Sequence, residues 1–329
     1  MNWTELDWKS LDGLRAQFLD AKPKNAPYWK TAEELAHYDL TFGERIGWKW
    51  DAVLEELGMR GWKPTGGRVL DWGCGSGIAG RRVVRHFGPS EFGSLAVWDH
   101  SPIAGEFARG AAKREFPALD VSIAEPGLLG GDEPIGLLLV SHVLNELQPS
   151  GINEIRALVA RSEAVIWTEP GTREASRSLG RLRDEFSAAL SLVAPCTHSN
   201  GCPVLAPGNE RHWCHHFAFP PPAIFSDSNW VKFGQRAGID LRSLPYSFIA
   251  LARGWKQKEV GLSRVIGRPE LFKPYARLLN CDATGLSELE VMKRSSPELL
   301  KELERTRRPL VYRWTRDGAI IMGGSPAQP

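Results

Sequence analysis

Apolar residues along this chain fall into two rhythms, and the switch between them predicts the fold. Over residues 4–62 the period is helical: Trp3, Leu6, Leu11, Leu14 and Phe18 recur on one face, and Ile46–Leu57 repeats the pattern. Gly61–Gly67 is turn-rich. Short apolar runs then alternate with helical stretches. Arg68–Leu70 leads through a glycine loop to a helix over Arg81–His86, and Ser94–Trp98 leads through Asp99 to a helix over Pro102–Arg114. Asp120–Ile123, Ile135–Val140, a helix after Pro149 and Ala164–Trp167 follow. Repeated strand–helix units with apolar strands predict an α/β fold whose mostly parallel sheet is covered on both faces. A helix is expected over Thr172–Ala194, and Leu244–Arg253 reads as a closing strand of the same sheet. After Gly254 come short β pieces at Ser263–Ile266 and Tyr275–Leu279, a helix at Pro297–Arg305 and a strand at Leu310–Trp314. The expected division is a helical segment 1–62, a sheet domain 63–253 and a small β-rich extension 254–329.

The loop after the first strand is Asp71-Trp-Gly73-Cys-Gly75-Ser-Gly77. Glycines let the backbone turn sharply and approach a ligand, while the following helix offers free N–H donors. Asp71 stands just before the glycines, and Asp99 ends the next strand, where a carboxylate can accept from ribose hydroxyls. Cys74 reads as a small space-filler without a base partner. The end of the fourth strand, Ser141-His-Val-Leu-Asn145, supplies catalytic candidates Ser141, His142 and Asn145.

The chain has five cysteines, and three of them lie in one helix-poor stretch: Cys196, Cys202 and Cys214, within a loop spanning 195–222. With the distant Cys281 they make a set of four. No Cys-x2-Cys knuckle of a zinc ribbon is present, and the irregular spacing with Pro203 after Cys202 favours an iron–sulfur cluster. Neutral imidazoles at His198, His212, His215 and His216 keep zinc open, and the absence of any metal stays a third reading.

Composition changes the picture little. At 329 residues with 42% hydrophobic and 24% charged positions and a net charge of +2, the chain has material for a sizeable core and is no polycation. From Arg253 onward fifteen Lys/Arg face nine Asp/Glu, which permits a nucleic-acid surface. Lys293, Arg294, Arg305, Arg307, Arg308 and Arg313 are candidates for phosphate contact. Most tryptophans sit in apolar patterns and read as core. No run reaches membrane-span length and no targeting pattern opens the chain, so a monomer in a reducing, cytoplasmic setting is the expectation.

The Gly-x-Gly-x-Gly spacing resembles class I S-adenosylmethionine-dependent methyltransferases. That resemblance implies a Rossmann-like, mostly parallel seven-stranded sheet, with Gly73, Gly75 and Gly77 against the methionine and ribose, Asp99 on the ribose, and Glu125 flanking the adenine. A narrower resemblance rests on Ser141–Leu147, Glu169–Thr172, the segment from Ala194 to His215, Pro245–Arg253, Leu278–Cys281 and Val291–Arg294. Over residues 45–295 the chain is similar to the methyltransferase-like proteins of the mitochondrial small ribosomal subunit and their bacterial relatives. What this implies is a [4Fe-4S] cluster on Cys196, Cys202, Cys214 and Cys281, and a role with small-subunit rRNA in methylation, assembly or translation. A proline usual after the first cysteine is Thr197 here. The alternatives are a non-catalytic ribosome assembly factor and a small-molecule methyltransferase with a zinc-stabilised lid.

Overall fold

The computed structural model describes residues 2–19, 29–306 and 310–327; Arg307, Arg308 and the Phe18 side chain lie outside the described residues. The chain divides into two units, each drawn from separate stretches.

The first unit comprises Met1–Leu54, Lys63–Thr168 and Ala218–Leu244. Its strands β1 (Arg68–Trp72), β2 (Ser94–Trp98), β3 (Val121–Ile123), β4 (Ile135–Ser141) and β5 (Ser162–Pro170) lie in the order β3-β2-β1-β4-β5. Every pairing among them is parallel. Near-continuous burial along β1 and β4 is what strands covered on both faces require. The order, with right-handed helical crossovers in between, is that of a doubly wound α/β sheet. This is the class I methyltransferase arrangement expected from the sequence.

Helices α1 (Trp8–Leu19), α2 (Ala32–Tyr38) and α3 (Glu44–Met59) precede the sheet, with a π turn at Asp39–Gly43 joining the last two. The crossovers carry α4 (Ile78–Phe87), α5 (Pro102–Glu115), α6 (Pro126–Gly130) and α7 (Pro149–Ala160). At Gly77 φ is +75° and an added Cβ would stand 2.8 Å from Ala108 Cβ, so only glycine lets α4 start this close to α5. Trp48, Trp50, Trp62, Trp72 and Trp167 are buried, as expected of core residues.

The second unit comprises Glu55–Trp62, Glu169–Phe217 and Pro245–Pro329. Helix α8 (Arg173–Phe186) ends eight residues before the expected Ala194, because Ser191–Ala194 is instead a strand, β6. Leu192, Val193 and Ala194 are buried there, and β6 pairs antiparallel with β8 (Leu244–Ala252), next to β7 (His216–Ala218). Tertiary pairing outweighs the helical pattern. Helix α9 (Ser228–Ala237) belongs to the first unit, where Trp230 packs on Trp3 and Trp48 with ring centroids 4.8 Å apart in each case.

The β-rich extension is a closed barrel of β9 (Ser263–Leu271), β10 (Tyr275–Asp282), β11 (Gly285–Met292), β12 (Val311–Asp317) and β13 (Ile320–Pro326). Its order around the barrel is β10-β11-β13-β12-β9, antiparallel except for the parallel β11–β13 pair. Helix α10 (Pro297–Arg305) sits between β11 and β12 and packs Leu299, Leu300 and Leu303 onto a core of Val265, Leu278, Leu289, Val291, Tyr312 and Ile321. A five-stranded barrel closed in this order is the OB architecture. The sequence reading missed β11 and β13. The first alternates Leu289 and Val291 inward with Glu288 and Glu290 outward, while the second is diluted by Gly323, Gly324 and Pro326.

A buried ion triad braces the second unit. Glu56 (1% exposed) accepts from Arg60 at 2.8 Å and from Arg264 at 2.5 Å, and those guanidinium groups are themselves 13% and 5% exposed. Burial alone would raise the Glu56 carboxyl, but Arg264 and Arg60 outweigh it and hold the group below its ordinary value. Glu56→Gln leaves two buried cations without a counter-charge, and is expected to cost about 3–5 kcal/mol in urea unfolding at neutral pH. Because the folded carboxyl is depressed, the advantage of the parent over the variant is full above roughly pH 5 and fades as pH falls through the folded value. An equal gap at all pH values would refute the assignment.

Candidate functional site

In the first unit, Gly73, Gly75 and Gly77 all take left-handed backbone, which turns the chain sharply between β1 and α4. Cys74 N donates to Trp98 O at 2.9 Å, and Gly75 N donates to Asp99 Oδ2 at 2.9 Å. The other Asp99 oxygen accepts from Ser101 N at 2.9 Å, so one carboxylate joins the glycine loop to the start of α5. A Cβ on Gly75 would meet nothing within 4 Å, so that side of the loop is open. The hydroxyls of Ser76 and Ser101 are buried without a hydrogen-bond partner. Open backbone, an acid and two unpartnered hydroxyls make a setting for a polar ligand.

The remaining predicted residues here are placed differently. Asp71 is fully buried and turns Oδ2 to Gly80 N, 2.9 Å away, so it anchors α4. Burial pushes its carboxyl up to about 7. Burial, with Asp99 and Asp71 beside it, also keeps the Cys74 thiol protonated, as suits a space-filler. Glu125 is exposed at the residue preceding α6, where its carbonyl accepts from Leu128 N and Leu129 N.

At the end of β4, His142 has φ +56°, the one non-glycine residue with left-handed backbone among the described residues. Strain of this kind concentrates at functional sites. Its Nε2 lies 3.2 Å from Lys49 Nζ and its Nδ1 3.3 Å from Ser141 Oγ, which in turn accepts from Trp50 Nε1 at 2.9 Å. Burial first, then the charges of Lys49 and Arg45, hold His142 neutral. An ammonium has no lone pair, so Nε2 must accept from Lys49, and the ring proton on Nδ1 points to Ser141. Both ring nitrogens are thus engaged inside the protein. Asn145 is exposed in the turn beyond. The sequence reading missed Lys49 and Trp50; a lysine between tryptophans in Trp48-Lys-Trp50 was the available signal.

All four predicted metal-site cysteines lie in the second unit, and all five cysteines of the chain are free. Burial raises the thiols of Cys202, Cys214 and Cys281, and the neighbouring cysteines raise them further: Cys196 acts on all three, and Cys214 also responds to Cys202 and Cys281. Cys202 is pushed up to about 11. Among the described residues, however, no three His, Cys, Asp or Glu side chains are grouped so as to hold a metal ion.

Arginines frame this neighbourhood. Buried Arg183 hydrogen-bonds the Cys196 side chain and donates to Asp184 Oδ1 (2.5 Å), Asn200 O (2.6 Å) and His198 O (3.1 Å). Arg264 stands opposite Cys281 in the β9–β10 register. Arg177 donates to Val204 O, Asn209 O and His212 O, and Arg60 donates to Val193 O, Pro195 O and Cys196 O. Ser176 and Ser247 donate to Cys214 O at 2.5 and 2.7 Å. Of the four histidines, His198 comes within 3.8 Å of Cys281 Sγ and His216 within 3.7 Å of Cys214 Sγ. Burial lowers both imidazoles, with Arg183 adding at His198 and Arg264 at His216. His212 accepts from Arg211, and His215 stacks on Trp213 at 4.9 Å. None of these arginines was singled out from sequence, although Arg177 and Arg183 lie on a helix that carries four arginines.

A family profile described as mitochondrial small ribosomal subunit Rsm22 matches residues 67–307. No curated protein is similar enough to match. Several solved methyltransferases are similar in fold. The N-methyltransferase NodS from Bradyrhizobium japonicum WM9 is 14% identical over 62% of this chain and 96% of its own, with a TM-score of 0.38. A precorrin-6y C5,15-methyltransferase from Geobacter metallireducens GS-15 is 12% identical over 62% and 88%, with a TM-score of 0.38. An rRNA methylase from Streptococcus thermophilus is 10% identical over 60% and 93%, with a TM-score of 0.35. Likenesses this distant decide nothing about substrate.

The raised carboxyl of Asp71 has a measurable consequence. An acid whose folded value lies above its unfolded value of about 4 weakens the fold as pH rises from there to about 7. Asp71→Asn keeps an acceptor for Gly80 N and removes that titration. The variant is expected to gain in melting temperature relative to the parent between pH 4 and 7, and a constant difference across that range would count against it.

Proposed function

Because the chain belongs to the Rsm22 family, we propose that it is a methyltransferase-like protein of the small ribosomal subunit, acting in the assembly of that subunit. In this reading S-adenosylmethionine binds the glycine loop, and Cys196, Cys202, Cys214 and Cys281 hold a [4Fe-4S] cluster. The observation that carries the reading is the family match over residues 67–307, and the support for a metal is that four free cysteines of the second unit include Cys196 beside buried Arg183 and Cys281 opposite buried Arg264.

The glycine loop offers a setting for the cofactor, and the cluster reading rests on the donor chemistry of the four cysteines, which are not grouped around a metal position among the described residues. For the cofactor, Gly73, Gly75 and Gly77 supply backbone that a ligand can approach. Asp99 retains acceptor capacity beyond its bonds to Gly75 N and Ser101 N, the Ser76 and Ser101 hydroxyls await partners, and Glu125 flanks the adenine side. Bound there, the cofactor supplies an activated methyl group. For the cluster, four thiolates bring negative charge to a place where Arg60 and Arg264 share a single carboxylate. Thiols that raise one another while unligated are driven to ionise by a metal centre. The cluster's contribution is structural: it ties the Cys196–Cys214 segment to β10. Zinc remains the alternative, supported by His198 and His216 beside two of the sulfurs.

Assembly comes before catalysis in this reading because His142, the residue best placed to take a proton, has both nitrogens engaged by Lys49 and Ser141. Methyl transfer to rRNA is the second reading, favoured by the Asp99–Gly75 arrangement and requiring only positioning for direct displacement at the sulfonium. Among the described residues no helix is long and apolar enough to cross a membrane. The compartment follows the ribosomal subunit served, which is mitochondrial in the family's description.

Purified anaerobically, the chain is expected to carry about four irons and four sulfides, with the visible absorption of a cluster, and Cys281→Ser to lose most of both. One zinc and no iron would reject the cluster. Asp99→Ala is expected to weaken S-adenosylhomocysteine binding about tenfold or more by calorimetry. Unchanged affinity would remove the glycine loop as the cofactor site.

A further inference from the structure

The barrel of the second unit presents an outer surface on β10 and β11 that the functions above do not use. Inward positions of β10 are Ala276, Leu278, Asn280 and Asp282, so Tyr275, Arg277, Leu279 and Cys281 point outward. The Cys281 half of this face is already taken. Asn200 Nδ2 donates to Ala283 O at 3.0 Å, and Arg211 pairs with Glu288 at 2.9 Å, laying the cysteine segment over it. The other half ends at the turn Phe272-Lys-Pro-Tyr275 and is exposed.

That half is a built aromatic shelf with cations around it. Phe272, 43% exposed, stacks on Tyr275 with centroids 4.6 Å apart and planes 19° from parallel. The Arg277 guanidinium lies 5.6 Å from the Phe272 ring and 5.9 Å from the Tyr275 ring, steadied by Glu290 at 3.5 Å. Phe272 N donates to Tyr275 O at 2.8 Å, which closes the turn, and Lys293 N donates to Pro274 O at 2.9 Å, which brings the end of β11 alongside it. Lys273, Lys293 and Arg294 are all exposed there, and none makes an ion pair among the described residues. A flat aromatic pair left in water is costly for a protein to keep without a use, and a ring of uncommitted cations beside it selects an anionic partner with flat faces.

We propose that this shelf binds single-stranded RNA, with bases stacking on Phe272 and Tyr275 and phosphates meeting Lys273, Lys293 and Arg294. The second and third strands of a five-stranded barrel of this order, together with the turn between the first two, form the surface such barrels use for oligonucleotides. Here those are β10, β11 and the Phe272–Tyr275 turn. Fold alone does not assign function; the stacked rings and unpaired cations at that place do. The inference rests on the ribosomal reading for its choice of RNA and adds the surface and the strandedness.

The test uses the full chain, a labelled single-stranded RNA of about 12 nucleotides, and a duplex of the same sequence, in anisotropy titrations at fixed salt. Phe272→Ala with Tyr275→Ala is expected to weaken single-strand binding about tenfold or more, as is Lys293→Glu with Arg294→Glu. The second pair is wholly exposed, so it decides the matter if the first pair harms folding. Parent-like affinity in the charge pair, or equal affinity of the parent for strand and duplex, overturns the proposal. Co-sedimentation with purified small subunits separates the two claims. A parent that fails to sediment with the subunit while the variants still lose single-strand binding rejects the ribosomal reading and leaves the shelf standing.

Discussion

An irregular segment can lie inside a protein only if something replaces the hydrogen bonds that a helix or strand would have supplied. Residues 195–215 contain a single 3-10 turn, at Pro203–Leu205, and no strand or α-helix. Their carbonyls are met instead by side chains: Arg60 at Pro195 and Cys196, Arg183 at His198 and Asn200, Arg177 at Val204, Asn209 and His212, and two serines at Cys214. These guanidinium groups hold the backbone that carries Cys196, Cys202 and Cys214. Each guanidinium satisfies more than one carbonyl at once. Of these groups Arg183 also brings positive charge to Cys202 and Cys281, so one residue serves both the scaffold and the electrostatics there.

A comparable economy governs the first unit. Asp99 closes the glycine loop with one oxygen and caps the start of α5 with the other, while Asp71 is withdrawn to anchor α4. Two carboxylates at adjacent strand ends, similar in sequence position, have different tasks because one is wholly buried under a helix and the other sits beside open loop. At the end of the neighbouring strand β4, His142 is held in a strained backbone and locked between Lys49 and Ser141. That network is rigid and internally satisfied, properties that suit a shape to be recognised as well as they suit a reaction.

Much of this was legible in the sequence. Strands that are apolar on both sides show as unbroken runs, so β1, β2, β4 and β5 were located from pattern alone, and Pro297 marked the start of α10 to the residue. The glycine spacing and the terminal acids led to the loop and to Asp99. What the sequence withheld was set by partners distant in the chain. Ser191–Ala194 is a strand only because β8 lies beside it, and no local signal told it from the end of α8. The barrel closed through β11, whose inward apolar positions are few, and through β13, whose pattern is diluted by Gly323 and Gly324. Arg60, Arg183 and Arg264 look like surface arginines until the fold buries them, since their acceptors are backbone carbonyls or, for Arg264, a Glu56 that lies about 200 residues away in sequence.

The composition of the second unit from three separate stretches has a consequence for its synthesis. Cys196, Cys202 and Cys214 emerge from the ribosome well before Cys281, which follows the whole of α9, β8 and β9. Arg264, the second buried cation near the sulfurs, is equally late. Until β9 and β10 have been made, the nascent chain carries Cys196, Cys202 and Cys214 without Cys281 or Arg264. The pairing of Glu56 with Arg264 is thus a late, long-range closure, since the carboxylate waits about 200 residues for the barrel strand that brings its second cation.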